Sequence, residues 1–167
     1  FLTDTDEKIG DFVLELLIGL GYVNWIMHIP TYYQILNIHR HTGKLNGVKH
    51  IVLMMIKDIK TQTEYLKLLL SGIIKENPNA FNSNFKLKTA KAFGQFFDTE
   101  LDIVSLSAST DTEYFDVQQL LVEQISSLLA SVGVSFNKPT SNRADIQWFN
   151  QMVDKVTPII DHDAKLA

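Results

Sequence analysis

The chain has 167 residues, 46% hydrophobic and 20% charged, with 8 glycines, 4 prolines and a formal net charge of −4. That composition belongs to a folded globular protein rather than a disordered or fibrous one. The length suits one domain that buries about 70% of the surface its unfolded chain exposes. With no cysteine, disulfide frameworks and thiolate zinc sites are excluded.

Apolar residues recur at alternating steps of three and four, the period of a helix with one buried stripe. The first helix is predicted over 5–20, with Ile9, Val13, Leu16 and Leu20 inward, Asp4 and Glu7 as a capping box, and Gly19 and Gly21 ending it. A second stretch over 23–41 is interrupted at Pro30, which has no backbone N–H to donate, and Thr31 with Gln34 restarts it as a capping box. The turn "HTGKLNG" follows, with Gly43 stopping one helix and Asn46-Gly47 leading into the next.

The third helix is predicted over 48–76, with Val52, Ile59, Thr63, Leu66, Leu70 and Ile73 as its stripe. A fourth over 82–104 carries Leu87, Ala90, Gly94, Phe97, Leu101 and Val104. Thr110 and Glu113 form the capping box of a fifth, in which Val117, Leu121, Ile125, Leu128 and Val132 face inward until Gly133. The last, over 141–157, shows Ile146, Phe149, Val153 and Val156 before Pro158. These elements predict an all-α protein, an antiparallel bundle of five or six amphipathic helices in a single domain spanning 1–167. No repeat, low-complexity tract or long linker divides it.

Targeting is nearly silent. No basic segment followed by an apolar one opens the chain, and a start at Phe1 rather than Met fits a processed secreted form or a trimmed chain, so localisation stays unknown. The tail Ala164-Lys165-Leu166-Ala167 reads as a cloning remnant.

Charge is segregated. Residues 1–15 are net −4, 16–91 net +7 and 92–137 net −7, with no acid between Glu15 and Asp58. The expectation is that acidic helix five packs beside basic helices three and four, so the charges flank an intramolecular seam; a basic face for an anionic partner is the alternative. A pI near 5.7 and the lack of a binding motif argue against nucleic acid.

Residues 28–50 hold four of the five histidines. On a helix His39 and His41 stand about 200° apart and cannot grip one metal, and no carboxylate ligand is local, so no metal is expected. His39, Arg40, His41 and Lys44 sit where a helix C-terminus favours cations. His39, His41 and His50 are expected to be pH-sensitive, since once protonated they would repel Arg40, Lys44 and Lys49. The acids of "DTELD" at 98–102 alternate as in a calcium loop, but Ile103 and Ser109 stand where its glycine and closing Glu belong; the acids are predicted on the solvated face of helix four. No P-loop, GxSxG or HExxH occurs, and "GLGYVN" lacks the third glycine of a dinucleotide loop, so no cofactor is expected.

Residues 16–38 carry no formal charge, yet Asn24, His28, Pro30, Gln34 and Asn37 interrupt them; a buried helical hairpin is predicted rather than a transmembrane span. Its aromatics Tyr22, Trp25, His28, Tyr32 and Tyr33 join apolar bodies to polar tips and are the expected ligand-binding set. The functional expectation is a non-enzymatic binding protein that takes an apolar or amphipathic small molecule in the bundle core, with Arg40, Lys44 and Lys49 facing an anionic headgroup or partner. The alternatives are a protein-interaction or self-assembly module, acting on a protein partner or as a homo-oligomer, and a membrane-active helical bundle.

Overall fold

The computed structural model describes residues 4–155. They form six α-helices in order, α1 Asp4–Leu16, α2 Ile29–Thr42, α3 Asn46–Glu76, α4 Ser83–Ser107, α5 Asp111–Ala130 and α6 Gln147–Asp154, with no strand among the described residues. The protein is all-α. The ends of the chain, including Val156, Pro158 and the 164–167 tail, lie outside the described residues.

The first helix does not stop at its glycines. Past Leu16 it widens into a π-helical stretch, Leu17–Val23, before a 3-10 turn at Ile26–His28. The widening shifts the inward line: Gly10, Val13, Leu17 and Gly21 are buried, while Leu20, expected inside, is exposed. Gly21 is what permits this line, because a Cβ there would run into the Leu128 side chain.

Pro30 lies in the first turn of α2, where its missing N–H costs nothing. Thr31 therefore falls inside the helix and makes no cap, and Gln34 Nε2 turns to Ser107 Oγ at 3.4 Å. Gly43 closes α2 as expected, in the left-handed region (φ 66°), with its N–H donated to His39 O at 2.8 Å. Asn82 caps α4 by accepting from the N–H groups of Asn84 and Phe85. At α5 the Thr110 hydroxyl accepts the Glu113 N–H, while the Glu113 carboxylate accepts the Ser109 N–H, one residue earlier than a capping box requires.

The inner line of α4 also runs out of register with expectation. Phe85, Thr89, Phe93, Phe97, Glu100 and Val104 are buried, whereas Leu87 is 71% exposed. Of the five residues predicted inward for the fifth helix, Val117, Leu121, Ile125 and Leu128 are buried on α5, and Val132 is buried in the turn just past its end. The predicted last helix is shorter than its sequence pattern, since 134–146 is an irregular extended strap. In it Val134 and Phe136 are buried between exposed neighbours. Phe136 packs edge-on against Phe97, its carbonyl accepts from Ser126, and Lys138 pairs with Asp98 at 2.8 Å. The strap ends where the Asp145 N–H is accepted by Asp116 at 2.7 Å, just before α6.

Candidate functional site

The five aromatic-cluster residues do not form one site: Tyr22 goes to α4, Trp25 and Tyr33 go to α5, and Tyr32 packs beside Trp25 and His28. Because the π-helical stretch brings Gly21 against Leu128, Tyr22 is carried to α4. It stacks on Phe96 at 4.3 Å and donates its hydroxyl to Glu100 at 2.5 Å. Trp25 donates its indole N–H to Gln124 at 3.0 Å, and Tyr33 donates its hydroxyl to Asp116 at 2.7 Å. Tyr32 lies between Trp25 and His28, 6.2 Å and 5.8 Å from them.

Trp25, Tyr32 and Tyr33 are buried; Tyr22 and His28 are half-buried. Burial, reinforced by hydrogen bonds to Glu100 and Asp116, pushes the Tyr22 and Tyr33 hydroxyls well above the usual phenol range, and burial alone raises Tyr32. In this arrangement the polar tips hold helices together. Of the acids expected on the solvated face of α4, Asp98 and Asp102 are exposed but Glu100 is only 7% exposed; on α5, Asp116 is also buried, at 2%.

The basic residues separate. Arg40 lies over the Trp148 ring at 4.8 Å, Lys44 is exposed, and half-buried Lys49 places its ammonium 3.2 Å from His39 Nε2. His41 lines a mixed groove of about 480 Å³ with Gln34, Asn37, Ile38, Ser107 and Glu113, and His50 is exposed on α3. His39, His41 and His50 thus share one turn region without sharing one site. Among the described residues no three His, Asp or Glu side chains come together as a metal site, and no ion pair joins α5 to α3 or α4.

A different feature stands out on the surface of α3. Its predicted stripe is buried or, at Ile73, half-buried, yet Val48, Ile51, Met54, Met55, Tyr65, Leu68 and Leu69 are exposed. Ile51, Met55, Asp58, Gln62, Tyr65 and Leu69 recur at steps of four and three, a second line about 100° around the helix from the buried one. Leu20 and Asn24 flank its upper end, forming with Gln62, Tyr65, Leu66 and Leu69 a mainly apolar groove of about 430 Å³. Exposed Val23 and Met27 follow Leu20 along the chain.

This second line has a signal in the sequence: α3 carries apolar residues around more of its circumference than one stripe needs. It also bears on the membrane question. By length and composition alone, residues 4–42 could cross a bilayer, and only 33% of their most apolar window is buried. No family model matches the chain, and no curated protein or solved structure is significantly similar to it.

Proposed function

We propose that the protein is a non-enzymatic interaction module that docks an amphipathic helix of a protein partner along the exposed line of α3. The observation that carries this reading is the exposed apolar face itself. Soluble monomers seldom leave an ordered row of large apolar side chains in water without a binding role.

Length favours a helix over a small molecule. Ile51 to Leu69 spans about 27 Å at 1.5 Å per residue, which five turns of a partner helix match and a drug-sized ligand does not. The polar pair Asp58 and Gln62 interrupts the line midway, as polar residues do in helical seams where they set register; a bilayer would penalise the same pair. Met54 and Met55 supply soft, adaptable contact. Over 48–69, α3 carries Lys49, Lys57, Lys60 and Lys67 against Asp58 and Glu64, a net positive balance that an acidic partner helix complements.

A second reading rests on the groove at Leu20, Tyr65 and Leu69, whose volume of about 430 Å³ suits an apolar or amphipathic small molecule. It moves the expected ligand from the aromatic cluster to the outer side of α3.

Photo-crosslinking in cells separates these readings, with a benzophenone amino acid at Ile51 or Leu69 and at the control site Leu106. A protein adduct from the α3 sites alone, mapped by peptide sequencing to an acidic amphipathic helix and lost in Met55→Glu, supports the module. Lipid adducts, or equal adducts from Leu106, overturn it. A small molecule retained in native mass spectrometry and lost in Tyr65→Ala supports the second reading.

A further inference from the structure

The hinge between α2 and α3 is closed by one side chain. His39, in the last turn of α2, reaches across the turn with both ring nitrogens: Nδ1 lies 2.8 Å from the Lys44 carbonyl and Nε2 lies 3.2 Å from the Lys49 ammonium. The partners dictate the protonation. A carbonyl only accepts, so Nδ1 carries the hydrogen; an ammonium only donates, so Nε2 holds a lone pair. The contact is therefore made by neutral His39, and a proton on Nε2 would turn a hydrogen bond into two facing cations.

We propose that the His39–Lys49 contact is a proton-operated latch on the 43–49 turn. Neutral His39 fastens the first turn of α3 to the last turn of α2; protonated His39 releases it. Imidazoles change charge between about pH 5 and 8, which sets the window in which to look.

The end of α2 favours a cation at His39, but among the described residues no free acidic side chain faces the added charge to offset the repulsion from Lys49. The neighbouring groups on α2 are Arg40, drawn over Trp148, and His41; the turn adds Lys44, and α3 adds Lys49 and His50. On α5, which packs on the other side of α2, Asp116 is bonded to Tyr33 and Asp145, and Glu113 to Ser109. On the 3-10 turn that leads into α2, His28 lies against Tyr32. Among the described residues neither His39 nor Lys49 has an ion-pair partner.

The turn also carries backbone strain. Leu45 is held at φ 60°, in the left-handed region that a branched, non-glycine residue enters at a cost. Its carbonyl accepts the Lys49 N–H at 2.8 Å, so the strained residue and the latch share one hydrogen-bonded loop. The latch stands whether or not the α3 face takes a partner.

The test is amide hydrogen exchange by NMR from pH 8 to pH 5, corrected for intrinsic rates, with the His39 ring nitrogens followed in the same samples. Protection at Gly43 and Lys49 should fall roughly fivefold to tenfold as His39 Nε2 gains its proton, the size expected for two like charges a few ångströms apart in solvent. Lys49→Met should keep protection constant across that range, and His39→Gln, whose amide oxygen can still accept from Lys49, should behave likewise. Constant protection in the parent protein overturns the latch. So does a pH response that survives in Lys49→Met or disappears in His41→Gln or His50→Gln. If His39→Gln fails to fold, Lys49→Met decides alone, because its methionine keeps the alkyl stem and loses only the charge.

Discussion

Helices α3 and α5 are both long and rich in apolar residues, yet they use them differently. On α5 no large apolar side chain is left exposed; on α3 seven are. The reason is placement. Helix α5 packs against α2, α4 and the 3-10 turn before α2, whereas α3 meets α2, the π-helical stretch, the 78–81 turn and α6, leaving one flank in water. Equal hydrophobicity therefore produces a core element in one case and a candidate docking face in the other. What an apolar stripe does depends on what covers it.

The sharpest way to break this comparison is truncation at matched positions. Ile125→Ala, at a fully buried site on α5, should cost about 3 kcal/mol in urea denaturation, because the removed atoms lose their burial and leave a cavity. Leu69→Ala, at a half-exposed site on α3, should cost under about 1 kcal/mol. Equal losses would mean that the α3 flank is covered after all.

Polar ties within the core come next. Asp116→Ala strands the buried Tyr33 hydroxyl and the Asp145 N–H at once, and a loss of about 2–3 kcal/mol is expected by the same measurement. A loss below about 0.5 kcal/mol would show that water replaces both bonds.

Alkaline pH probes these tyrosines more gently. Tyr22 and Tyr33 hold their protons more tightly when folded than when unfolded. Above the ordinary phenol range near 10, the unfolded chain has lost protons that the folded chain keeps, so stability falls as pH rises. Their contribution is intact below about pH 10 and disappears as pH climbs through the raised folded values. Absorbance at the phenolate band should show Tyr22 and Tyr33 ionising only as the protein unfolds, with buried Tyr32 also delayed, and one fewer such tyrosine in Tyr33→Phe. Free ionisation of all tyrosines in the folded state would contradict the buried pairs.

The smallest expected effect is a gain. The Thr89 hydroxyl is buried without a hydrogen-bond partner among the described residues, so Thr89→Val should leave stability unchanged or raise it by about 0.5–1 kcal/mol. A clear loss would reveal a bound water.

Much of the fold was legible because helical period is a local property. The α5 line from Val117 to Leu128, the Gly43 stop and the Thr110 cap depend on residues within a turn or two of one another. The misreadings share a different cause. Leu20 and Leu87 sit at plausible inward positions, but the π-helical widening moved the first line, and packing selected Phe85 and Thr89 rather than Leu87 on α4. Residues 141–146 of the strap fit a helix on paper because Ile146, Phe149 and Val153 keep a helical spacing, yet the helix begins only at Gln147. Of the candidate site, the aromatic residues were recognised as a group, while their bonds to Glu100, Gln124 and Asp116 join positions 78, 99 and 83 residues apart.

From its sequence alone this protein was bound to be helical, because apolar side chains returning every three to four residues can be buried together only on a helix. Which flank of each helix meets another, and therefore that α3 keeps a second apolar line in water while Glu100 and Asp116 are drawn inside, was decided by tertiary packing. Burial is a property of the neighbours a residue acquires across the fold, and those neighbours are not adjacent in the chain.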